Sequence, residues 1–204
     1  MQQKQLITFV FDNSSCCERE KLAALMGGFR RFAEEQKSNE MLELELICYD
    51  VFAPAVVKPF ESADIAPVRA GRVPLLGRAA LCAADRIEAR VAALKEAGVS
   101  CYRPLLVLLS AGFTLDESDE ALIRLEAMEK AGELSYLPFK LSPKLLTDRL
   151  QSLDRTKHMI EIKQDGIDGF FAFISRIPER RRAAQSAEGG LKFQKSDFEG
   201  WAEL

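Results

Sequence analysis

Two strand-and-loop units, far apart in the chain, constrain the fold more than anything else in the sequence. Residues 6–11, Leu-Ile-Thr-Phe-Val-Phe, form an apolar, β-branched and aromatic run that stops at Asp12 and passes into Asn13-Ser14-Ser15-Cys16. Residues 104–110 are almost wholly apolar and pass into Ala111-Gly112-Phe113-Thr114-Leu115-Asp116. Runs this short, bounded by polar loops, read as strands rather than helices. A strand apolar on both sides belongs inside a parallel sheet covered by helices on each face.

The intervening segments supply those helices. Leu22, Leu25, Met26, Phe29, Phe32 and Ala33 recur at three- and four-residue steps, the period of one apolar helix face. Gly27-Gly28 interrupts that face and predicts close approach of the helix to the sheet. Residues 42–48 alternate Leu42, Leu44 and Leu46 against Glu43 and Glu45, as a half-buried strand does. Residues 51–58 read as its hairpin partner, with Pro54 marking an edge or bulge, and 59–74 as a loop. Helices follow over about 76–97 and 116–131, stopped by Gly98 and Gly132. Residues 134–139 and 157–162 read as further strands. Ser142-Pro143 has the form of a helix start, and 165–177 carries an apolar stripe through Phe170, Phe171 and Ile174. Strands alternating with helices predict a three-layer, doubly wound α/β fold, mainly parallel, with one antiparallel edge strand. One domain spans 1–182, and 183–204 is a polar tail.

Composition narrows the function classes. A net charge of −3 over 204 residues gives no electrostatic pull toward nucleic acid. No apolar run reaches the roughly 20 residues a membrane helix needs, and no leader precedes the first strand. Five cysteines without zinc-type spacing read as reduced thiols, which places the expectation in the cytoplasm. A single histidine, His158, excludes a multi-histidine metal site and reads as a surface or strand-edge residue.

Ligands of open α/β sheets sit outside the carboxyl ends of the strands. Asp12 and Ser14 lie there, as do Ser110 to Asp116. An Asp and a Ser two apart on a turn offer two oxygens to a hard cation such as magnesium. These loops resemble the signature loops of the von Willebrand factor A family, which carries Asp-x-Ser-x-Ser, then a Thr, then Asp-Gly. The chain is most similar to the bacterial tellurium-resistance branch. The residues that carry the likeness are Gly71-Arg72-Val73-Pro74-Leu75-Leu76-Gly77-Arg78-Ala79-Ala80-Leu81, Ser110 to Asp116, and Phe170-Phe171-Ala172-Phe173-Ile174-Ser175. It covers roughly residues 5 to 178.

The resemblance implies a metal-ion-dependent adhesion site that here is degenerate. Asp12 and Ser14 keep their oxygens, Cys16 replaces the second Ser, the Thr position falls near Val73, and Ala111 replaces the Asp. Thiolate is a soft donor, mismatched to magnesium. Asp116 falls on the first turn of a helix that it would cap. With no metal, Asp12 would bond backbone amides of the facing loop. The implied activity is non-catalytic recognition of another protein, without cofactor, nucleic acid or membrane. The partner would meet the rim of Asp12, Ser14, Val73, Ala111, Phe113 and Asp116, in a scaffold of a tellurium-resistance or stress-response system. The alternative is a Mg2+- or Mn2+-dependent binder that uses Asp12 and Ser14.

A hydrolase is the third reading. An Asp after the first strand also opens the haloacid-dehalogenase phosphatases, but that chemistry needs an acid where Ser14 stands. Cys16 or Cys17 near a helix N-terminus could be a nucleophile, yet small residues at a tight turn account for both. Arg176, Arg180, Arg181 and Arg182 form a basic cluster at the end of the last helix. A solvated helix end is the favoured reading, with contact to an acidic partner or phosphate as the alternative. In the tail, Phe193, Phe198 and Trp201 are too many aromatics for a free polar segment. They predict self-docking, or else anchors for a partner.

Overall fold

In the computed structural model of the chain, the described residues are 3–14, 16–49, 55–57, 74–183 and 193–203. Strand β1 (Gln3–Asp12) is central. On one side lie β2 (Leu42–Tyr49), parallel to it, and β3 (Ala55–Val57), antiparallel to β2. A short strand, β4 (Ser100–Cys101), pairs with the first residues of β1. On the other side β5 (Leu105–Ser110), β6 (Ser135–Lys140) and β7 (Ile160–Ile162) continue in parallel, and β8 (Ala202–Glu203) closes the edge antiparallel. The order β3-β2-β1-β5-β6-β7-β8 reverses direction between β1 and β5. That reversal opens a crevice at the carboxyl ends of these two strands.

Helices α1 (Arg19–Glu35), α5 (Ile167–Ser175) and α6 (Ile177–Ala183) cover one face. Helices α2 (Leu76–Glu96), α3 (Asp119–Lys130) and α4 (Asp148–Lys157) cover the other. The strand pleat divides the core between them. Phe9 and Phe11 of β1, with Val107 and Leu109 of β5, face the first set. Val10, Leu106 and Leu108 face the second. The doubly wound, mainly parallel sheet with an antiparallel edge strand is therefore as the sequence predicts, and among the described residues β8 adds a second antiparallel strand at the other edge. Gly98 and Gly132 adopt φ of 71° and 78° where α2 and α3 stop, and the amides of Val99 and Glu133 reach back to Leu94 and Met128, closing each helix with a Schellman motif.

Several local expectations are overruled. Ser142-Pro143 starts no helix: the Ser142 hydroxyl accepts the Lys144 N–H at 3.3 Å, and α4 begins only at Asp148. Residues 141–146 are held as a strap over the β5 loop, with Leu141 N–H on the Ser110 carbonyl and Leu146 N–H on the Gly112 carbonyl. His158 begins no strand; it ends α4 in the left-handed region. Gly28 serves helix-to-helix rather than helix-to-sheet approach, since a Cβ there would lie 2.5 Å from the Phe171 ring. The last helix is divided, because Pro178 has no N–H to continue α5 and α6 starts afresh.

The tail aromatics turn inward. Phe198 and Trp201 are buried against Phe173, with ring centroids at 5.4 and 5.3 Å. The Trp201 indole N–H donates to the Asp197 carbonyl at 2.9 Å. Trp201 also lies against bare helix backbone, since a Cβ on Gly169 would sit 2.5 Å from its own Cβ. Arg180 forms a two-pronged ion pair with Asp197. The arginine cluster is therefore not a simple solvated helix end.

Candidate functional site

At the carboxyl ends of β1 and β5 the two signature loops are joined by one carboxylate. Asp12 is fully buried; its Oδ1 accepts the Ser14 N–H at 2.9 Å and its Oδ2 accepts the Ala111 N–H at 2.9 Å. The first bond is an Asx turn within its own loop, and the second crosses to the facing loop. Burial raises the Asp12 pKa above the ordinary carboxylate value, and the bonds from Ser14 and Ala111 oppose the rise. Ser14, also fully buried, accepts the Cys16 N–H on its hydroxyl at 3.2 Å. Behind the pair Tyr49 donates to the Leu109 carbonyl at 3.2 Å. Its phenol is pushed well up by burial and by the Asp12 charge.

A second carboxylate ties the β5 loop to a helix. Asp116 does not cap the helix that follows it in sequence, because α3 starts at Asp119. Its oxygens accept the N–H groups of Gly77 and Arg78 at 3.1 and 2.9 Å, and Thr114 takes the Leu76 N–H at 3.2 Å. Asp116 and Thr114 thus satisfy three free amides at the start of α2, which has no cap of its own. The sequence reading missed this because donor and acceptor lie 38 and 39 residues apart.

The named rim residues therefore separate. Asp12, Ser14 and Ala111 converge beneath the rim, and all three are buried. Ala111 contributes its N–H to Asp12 and its methyl group to the core. Phe113 is half-buried, Asp116 is half-buried and engaged with α2, and Val73 lies outside the described residues. Among the described residues of this end, Leu115 and Leu146 are large apolar side chains that stand 61% and 67% exposed.

Among the described residues the side-chain oxygens of Asp12 and Ser14 at this end are engaged with the backbone. Both oxygens of Asp12 and both of Asp116 already face backbone donors, the Ser14 hydroxyl faces another, and position 111 contributes a methyl group. Among the described residues, no three His, Cys, Asp or Glu side chains group to hold a metal. Cys17 is buried beside Asp12 and its thiol is pushed up to about 12, the reverse of an activated nucleophile. Cys16 is exposed, and His158 stands exposed at the end of α4.

Sequence reasoning also missed Lys21. It is 5% exposed, and its ammonium donates to the Leu141 and Ile162 carbonyls at 2.7 and 2.6 Å, pinning the ends of β6 and β7 to α1. Burial lowers its pKa. The signal was present, since Lys21 stands four residues before Leu25 on the inward stripe.

No family model and no curated protein matches the chain. Solved structures do. The TFIIH p34 N-terminal domain superposes with a TM-score of 0.60 at 10% identity, over 85% of this chain and 97% of that one. The two share a fold. The SpRpn10 VWA domain aligns with a TM-score of 0.49 at 14% identity, over 73% of this chain and 79% of that one. No helix among the described residues is long and apolar enough to cross a membrane.

Proposed function

We propose that this chain is a non-catalytic, cytoplasmic protein-binding module of the von Willebrand factor A type, and that it recognises its partner without a metal ion. The observation that carries this reading is the Asp12 carboxylate, which holds the two loops together through Ser14 and Ala111 amides where a metal-dependent relative would use an ion. The rim it shapes presents Leu115 and Leu146, with Phe113 half-buried beside them. Exposed apolar side chains around a rigid loop cluster suit a protein interface. The fold shared with the TFIIH p34 N-terminal domain supports the architecture, and the loop and helix motifs support the tellurium-resistance branch. On that basis the module is a scaffold in a tellurium-resistance or stress-response assembly.

Titration with magnesium and manganese chloride by calorimetry tests the metal-free reading. No saturable heat is expected, and a heat that disappears in Asp12→Asn would establish the cation-dependent alternative. For the interface, partners recovered with the wild-type chain should be lost from Leu115→Asp/Leu146→Asp. Retention of the same partners by that double variant would remove the rim from consideration.

A further inference from the structure

The exposed leucines of the rim stand among carboxylates. Leu115 and Leu146 are each followed, two residues on, by an exposed acid, Glu117 and Asp148. Their loops are laced together, because the Leu146 N–H donates to the Gly112 carbonyl at 2.7 Å. Glu120, on the first turn of α3, is exposed as well. Among the described residues no ion pair or hydrogen bond engages the side chains of Glu117, Glu120 or Asp148. With Asp116 and Asp119, five carboxylates stand here against two cations among the described side chains, Arg78 and Lys144. The starts of α2, α3 and α4 offset roughly half a charge each, so the patch keeps a net charge of roughly −1.5. Helix dipoles account for acids in the first turns of α3 and α4, but Glu117 precedes α3 and lies outside that explanation. The far end of the molecule has the other sign, with Lys95, Lys130 and Arg182 in the last turns of α2, α3 and α6.

We propose that the rim takes a basic peptide segment of its partner, in which two apolar side chains are flanked by lysine or arginine; this rests on the rim being the interface argued above. Apolar contact with Leu115 and Leu146 supplies the affinity. Glu117, Glu120 and Asp148 select the flanking cations, because charges around an interface steer encounter and reject partners of like sign. An acidic segment would set its carboxylates against theirs. A nucleic-acid backbone or an anionic membrane surface is repelled by the same sign.

The test selects a displayed library of random 12-residue peptides on the full chain and measures the enriched sequences by fluorescence anisotropy. Enriched peptides should carry two apolar residues and an excess of lysine and arginine over acids. Glu117→Lys/Asp148→Lys should weaken them about tenfold at low salt, and 0.5 M sodium chloride should weaken the wild type in the same way. Leu115→Asp/Leu146→Asp should lose them altogether. Thermal unfolding of each variant confirms that it is folded. Neutral or acidic peptides that the leucine variant loses would overturn the basic partner while leaving the rim as the interface. No enrichment, or peptides that the leucine variant keeps, would remove the rim itself and the proposal with it. Self-association in the ultracentrifuge that Glu117→Lys/Asp148→Lys abolishes would assign the patch to the basic end of a second copy, and so overturn the peptide partner.

Discussion

Gly27 and Gly28 are neighbours in the middle of α1, yet alanine at the two positions should have opposite effects. Replacing a helical glycine with alanine is worth about 1 kcal/mol of propensity wherever it is made. At Gly27 an added Cβ meets nothing closer than Arg31 Nη1, at 3.7 Å, so Gly27→Ala should keep that gain. At Gly28 it would lie 2.5 Å from Phe171 Cε2, 2.7 Å from Cδ2 and 3.1 Å from Ile167 Cγ2. The Phe171 ring is braced against such a shift by stacking on Phe32 at 5.6 Å and edge-on contact with Phe170 at 4.9 Å. Overpacking of that kind costs roughly 1–3 kcal/mol. Propensity cancels in the difference between the variants, which leaves the packing cost alone. Gly28→Ala should therefore melt about 3–9 °C below Gly27→Ala. Chemical denaturation of both, with a Gly28→Ala/Phe171→Leu double variant, checks the assignment, since the smaller side chain should restore most of the loss. Equal stability of the two single variants would refute the α1–α5 contact described above.

Two further outcomes test the other tethers. Asp116→Ala leaves the Gly77 and Arg78 amides uncapped and should cost about 1–2 kcal/mol in urea unfolding. Asp197 is held down to about 2 by Arg180 and the Gln194 N–H. A carboxylate lowered from 3.8 in this way contributes stability above the unfolded value, here about 2 kcal/mol, and that contribution is lost as pH falls from about 4 toward 2. Trp201 is the single tryptophan, so its emission should shift to the red across that window, and Asp197→Asn should lower the tail's stability at neutral pH. A spectrum unchanged down to pH 2 would show that the ion pair does not hold the tail.

The elements legible in the sequence were those whose signal is local and repeated. The apolar runs of β1 and β5 and the periodic faces of α1 and α2 each state their burial several times over, and the position of Asp12 at the end of β1 located the candidate site. What escaped was decided across the chain. The Ser142-Pro143 signature is overridden because the segment is held by Ser110 and Gly112 carbonyls. Asp116 sits near the helix it precedes in sequence, but α2 presents unsatisfied amides to it. Strand β8 is only two residues long and has no periodicity to read. Lys21 and Arg181 follow the helical stripes inward, Arg181 four residues after Ile177, but a charged residue on such a stripe is ordinarily discounted.

Among the described residues, both flanks of the sheet end in antiparallel strands of two or three residues, β3 and β8. A foreign strand arriving at β8 meets a ladder too brief to register against. Growth of fibrils by lateral strand addition is thereby discouraged. Assemblies that contain this protein should be joined through loops and helices, with the hydrogen-bonded ribbon kept private to each molecule.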